Sequence, residues 1–159
     1  MTRTYDDAVI LVPPRRPARL YGCYAEENQA DWELLDKQLT VLKRQGVIEI
    51  WHNHEILPGY DRFCECRKRL DAADIVLLLM SHHFFPSDLC WELMDQAMES
   101  HQAGTKRVIP VLLSPVDYTG IPIYRLQWLP GGKPISLWHN RDEACEKVVK
   151  GIRKIVEEL

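Results

Sequence analysis

Short runs of apolar and β-branched residues alternate along this chain with longer amphipathic stretches, the pattern of strands separated by crossover helices. Five runs predict strands: Arg19–Tyr24, Val47–Trp51, Asp74–Met80, Val108–Leu113 and Ile135–Trp138. The third and fourth are almost wholly apolar, as central parallel strands covered on both faces are. Between the runs, apolar positions recur every three or four residues, which gathers them on one face of a helix. Trp32, Leu35, Leu39 and Leu42 make one such stripe, ended by Gly46; Phe63, Cys66 and Leu70 make a second. Cys90, Leu93, Met94, Ala97 and His101 make a third, with Ser87 or Asp88 as its N-cap and Gly104 as its stop. In the last, Asn140 to Glu143 is a capping-box variant ahead of Cys145, Val148, Val149, Ile152, Ile155, Val156 and Leu159. This alternation predicts an α/β fold, a flavodoxin-like five-stranded parallel sheet with helices on both faces.

Outside that pattern, the Pro13–Pro17 segment cannot continue a helix or sheet, so residues 1–18 are expected to form a tail or linker and residues 19–159 the domain. Pro115–Gly132 is rich in proline and glycine and predicts a long loop with one helical turn near Tyr124–Gln127.

Composition narrows the function classes. The 159 residues suit one hydrophobic core, and 46% apolar with 27% charged residues is an ordinary globular balance. A net charge of −3, with both signs interspersed, argues against nucleic acid as a partner. The longest apolar run, Ile75–Met80, is far short of the roughly 20 residues needed to span a bilayer, so no membrane helix is expected. Met1–Asp7 lacks the apolar core of a secretory signal, and five cysteines without a C-x-x-C pair do not make a disulfide framework; a cytoplasmic location is expected. No metal site is expected from the adjacent pairs His52/His54 and His82/His83, which lack convergent ligands. A phosphate-binding glycine loop and an activated Cys–His pair are both absent from the sequence.

Several motifs then stand in a recognisable order. Leu42–Gly59 reads as the end of a helix, a strand and the loop after it; Leu70–Ser81 runs from a surface helix into the central strand. Phe84–Cys90 leads into the third helix, and His101–Gly104 with Arg107–Val111 leaves it. Leu126–Pro130, Gly132–Pro134 and Trp138–Glu143 complete the set. Together these resemble the prokaryotic type of TIR (Toll/interleukin receptor) domain over roughly Arg19 to Leu159.

The resemblance implies two kinds of activity. TIR domains self-associate or bind other TIR domains through surface helices and the loop after the second strand, the BB loop. A subset hydrolyses or cyclises NAD, releasing nicotinamide, with a glutamate of the third helix as the catalytic residue. On that basis the chain is expected to be an NAD-cleaving effector in a defence or signalling response, with NAD as substrate and no cofactor required. The alternative is a noncatalytic scaffold acting by homotypic contact.

Glu92 is the carboxylate near the family's catalytic position, where a charge facing the ribose stabilises an oxocarbenium-like state. The ungapped register puts Leu93, not Glu92, at the family's glutamate. A glutamate early in a helix also simply complements the helix dipole. Tyr24 and Ala25 follow the first strand and Ser81 ends the central one, at the edge where open α/β sheets take ligands. Trp91 offers an indole face for stacking or for ordinary packing. Pro58, Gly59 and Tyr60 are expected to shape the BB-loop tip for homo-oligomer or TIR–TIR contact.

Overall fold

A computed structural model describes residues 16–159; the apolar run Ala8–Val12 and the prolines Pro13 and Pro14 lie outside them. Four strands, β1 (Ala18–Cys23), β2 (Ile48–His52), β3 (Ile75–Met80) and β4 (Arg107–Leu112), form one sheet in the order β2-β1-β3-β4. Every pairing is parallel. The α/β class with a parallel sheet is as the apolar pattern predicts. The domain's first strand starts one residue inside the expected tail, at Ala18.

The expected fifth strand is a correction. Ile135–Leu137 is a single 3-10 turn preceded by Pro134. The outer edge of β4 is already used by another segment: Leu112 N–H donates to Leu129 O at 2.8 Å and Leu129 N–H to Pro110 O at 2.9 Å. Only Ser136 N–H reaches the edge beyond, at Leu113 O. Ile135 is buried all the same, so its apolar character reports core packing and not strand pairing. The helical turn expected at Tyr124–Gln127 is a 3-10 turn at Pro122–Arg125.

The helices are α1 (Gln29–Gln38), α2 (Thr40–Arg44), α3 (Arg62–Asp71), α4 (Asp88–Gln102) and α5 (Arg141–Glu158). The first stripe is thus shared by two helices that meet at Leu39, yet Trp32, Leu35, Leu39 and Leu42 all remain buried. Caps fix the starts of three helices. Asp61 accepts from Cys64 N–H for α3, Ser87 from Cys90 N–H for α4, and Asn140 from Asp142 and Glu143 N–H for α5.

β3 explains the layering. Its six residues are all buried, and alternation sends Val76, Leu78 and Met80 into a core with α3 and α4, and Ile75, Leu77 and Leu79 into a second core with α1, α2 and α5. The helices therefore cover both faces.

At the amino-terminal edge of the sheet, Arg16 forms a two-pronged pair with Asp74, at 2.9 and 3.0 Å. Arg16 and Leu159 border the same depression there, with Lys106 and Arg107. The loops after the strands lie at the opposite pole.

Candidate functional site

The carboxyl-terminal edge of the sheet is organised by a buried aromatic stack. Gly22 permits it: a Cβ there would lie 2.3 Å from the Trp32 ring, so only glycine lets the indole close over the strand. Trp32 then stacks on Tyr24, ring centroids 5.2 Å apart and planes 14° apart. The Tyr24 hydroxyl donates to Gln29 Oε1 at 2.6 Å and lies 3.2 Å from His52 Nδ1. Burial pushes this phenol well above its ordinary range.

Tyr24 is fully buried and Ala25 nearly so. Their contribution to the rim is through backbone and not through side chains. Asn53 clamps the Tyr24 peptide, its Oδ1 accepting from Tyr24 N–H at 3.4 Å and its Nδ2 donating to Tyr24 O at 3.0 Å. His54 Nε2 lies 3.1 Å from the same carbonyl, which can only accept, so this nitrogen carries the proton. Arg62 Nη2 faces the other ring nitrogen at 3.5 Å. Burial lowers the pKa of both His52 and His54, partly offset at His52 by Glu55 and at His54 by the Tyr24 carbonyl.

Ser81 is also buried. Its hydroxyl donates to Asn28 Oδ1 at 2.6 Å and accepts from His83 N–H at 3.1 Å. Asn28 in turn donates to Asp31, 2.9 Å away, and so ties the β3 end to the start of α1. Tyr24, Ala25 and Ser81 are thus brought to one edge, each already satisfied within the chain.

Glu92 stands elsewhere. It projects from the second turn of α4 and pairs with Arg67 of α3, in a surface groove with Asp95, Gln96 and Glu99. Leu93, which the ungapped register puts at the family's glutamate, is buried. Trp91 is partly exposed and meets Phe85 edge-on at 5.9 Å. A separate cleft lies beside the BB loop, lined by Glu26, Asn53, His54, Leu57, Tyr60 and Arg62 among others. Glu92 does not line it.

In the BB loop, Gly59 adopts φ +88°, the left-handed conformation a tight turn needs, and Tyr60 N–H donates to Leu57 O at 3.3 Å. The turn puts Leu57 and Tyr60 outside, 60% and 56% exposed. Among the described residues no group of three or more His, Cys, Asp or Glu could hold a metal ion. No helix there is long and apolar enough to cross a membrane.

The TIR-domain family model matches residues 23–149. The chain belongs to the TIR domain family. A Sinorhizobium fredii protein of uncharacterised function, y4lF, is 40% identical over 137 residues, which cover 85% of this chain and 42% of that protein. This TIR domain therefore spans less than half the length of that relative. Among solved structures, the TIR domain of the Toll-related receptor TRR-2 from Hydra magnipapillata superposes with a TM-score of 0.56 at 21% identity, over 87% of this chain and 95% of that one. The RPS4 and RRS1 TIR heterodimer gives 0.54 at 14% identity, over 86% and 96%. The TIR domains of the Roq1 resistosome, which recognises the effector XopQ, give 0.52 at 16%, over 89% and 74%. These three establish the shared fold.

Sequence reasoning does not pick out Gly22, Asn28, Asn53 or Arg62 as site residues, and it weighs His54 only as a metal ligand. A glycine inside an otherwise apolar strand is the one available signal, since it marks close approach by another group.

Proposed function

We propose that this TIR domain works as an assembly module whose BB loop makes homotypic contact. The observation that carries this is the pair Leu57 and Tyr60, apolar surface held out on the Pro58-Gly59 turn above a base that Asn53 and His54 fasten to β1. A fixed base lowers the entropy lost on binding, and exposed apolar side chains supply the contact energy. The heterodimer of RPS4 and RRS1 TIR domains and the Roq1 assembly are consistent with TIR domains acting together. Tyr60→Asp should lower the mass seen by light scattering at high concentration and leave the circular dichroism spectrum unchanged; unchanged mass would remove the BB loop from the assembly.

NAD cleavage is the second function considered, favoured by the cleft where Glu26, His54, Arg62 and Tyr60 converge beside the BB loop. A carboxylate, a guanidinium and a phenol suit ribose, phosphate and base respectively. Glu92 lies outside that cleft, paired with Arg67, and is the separate candidate that the resemblance supplies. Concentrated protein would then release nicotinamide from NAD, and Glu92→Gln would cut the rate by about 10² to 10³ if its charge stabilises the ribosyl cation. Glu26→Gln as the more damaging change would move that role to the cleft. Intact NAD with concentrated wild type would leave assembly as the whole function.

A further inference from the structure

The sheet ends at β2, and no described strand pairs with its outer edge. Val47 O accepts from Ala18 N–H and Asn53 N–H donates to Gly22 O, so odd-numbered residues face β1. Alternation turns the peptide groups of Ile48, Ile50 and His52 outward. Of these, His52 N–H is taken by Glu55 Oε1 at 2.9 Å. On the α3 side of the same edge Trp51 is 40% exposed, with the Arg69 guanidinium 3.5 Å from its ring centroid. Arg69 Nε is buried and without a hydrogen-bond partner, its carboxylate neighbour Glu65 standing 4.0 Å away. Next to Trp51 along the exposed face, Glu49 meets Arg19 at 3.3 Å. Among the described residues, an unpaired edge, an exposed indole and a part-exposed arginine held only loosely by Glu65 thus lie together.

We propose that a second copy of this chain docks antiparallel along the outer edge of β2, Ile50 facing its counterpart across a two-fold axis, so that two sheets become one.

Charge selects this register. With Ile50 on the axis, Glu49 opposes Trp51 of the partner subunit in a pair without mutual hydrogen bonds, the type in which side chains come closest. Glu49 thereby brings its negative charge to the exposed part of the guanidinium of Arg69 of the partner subunit, once on each side of the axis. Sliding one strand by two residues in one direction sets the two Glu49 side chains against each other. Sliding it the other way stacks the two Trp51 rings and brings both Arg69 guanidinia together. Either slide opposes like charges, and a one-residue slip misaligns the peptide groups. Glu49 therefore discourages promiscuous strands and admits one that presents a cation opposite it. This surface is separate from the BB-loop tip, so the two contacts can coexist.

Sedimentation equilibrium on the whole chain tests the proposal. Glu49→Arg and Arg69→Glu, each alone, should raise the dimer Kd about tenfold or more. The double variant restores opposite charges across the seam and should return to within about threefold of wild type. Ile50→Pro removes an N–H that faces solvent in the monomer, a position where an edge strand tolerates proline; it should weaken the dimer while the circular dichroism spectrum is kept. A wild type that stays monomeric at all concentrations, single reversals without effect, or a double variant no tighter than the singles would overturn it. So would a dimer lost on Tyr60→Asp but unaffected by charge reversal, which would assign the association to the BB loop.

Discussion

The rim at the ends of β1 and β3 and the BB loop beside it are built on opposite principles. In the rim, Tyr24, Asn28, Asn53 and Ser81 are buried and bonded to one another; in the loop, Leu57 and Tyr60 touch mostly water. Buried polar groups are stable only when satisfied, so the rim has one arrangement and little freedom to greet a ligand through those side chains. The loop carries exposed apolar surface that a partner can cover. The sheet edge is thus built as a mount, and the apolar surface open to a partner lies on the part mounted on it.

The largest way to break the mount is Trp32→Ala. It removes the indole from Gly22 and Tyr24 and should cost about 3 to 5 kcal/mol, read from urea unfolding. Ser81→Ala is the next. It leaves Asn28 Oδ1 and His83 N–H without their partner and should cost about 1 to 3 kcal/mol, with a small effect if water replaces the hydroxyl. Smaller still is a pH effect. Burial lowers the pKa of His52 and His54 in the folded protein, so the unfolded chain binds the protons first. Stability contributed by their neutral forms is intact above the ordinary histidine range and declines as pH falls through it toward the lowered values. The wild type should lose more stability between neutral and mildly acidic pH than a His52→Gln/His54→Gln variant, measured by unfolding at each pH. Equal losses would place the sensitivity in the carboxylates.

Much of this architecture was legible before the structure. β3 and β4 announce themselves as apolar runs and Asn140 as a cap, while for α4 the sequence leaves Ser87 and Asp88 open and the structure selects Ser87. The pattern over-read Ile135–Trp138, because buried apolar residues look alike whether they pair in a sheet or plug its side. Site residues were harder. Topology puts Tyr24 and Ser81 at the strand ends, but it does not reveal that Asn53 and Asn28 saturate them, since each partner is distant in sequence. For Glu92 the helical stripe already put Leu93 inside, and the Arg67 pair follows from α3 packing against α4, which no local pattern encodes.

Arg16 and Leu159 lie at the same pole, away from the BB loop. In engineering language this TIR domain has a back and a front: a fluorophore or affinity handle attached to a residue of the Arg16–Leu159 depression would hang behind the sheet, leaving the loop-bearing front unobstructed for assembly measurements.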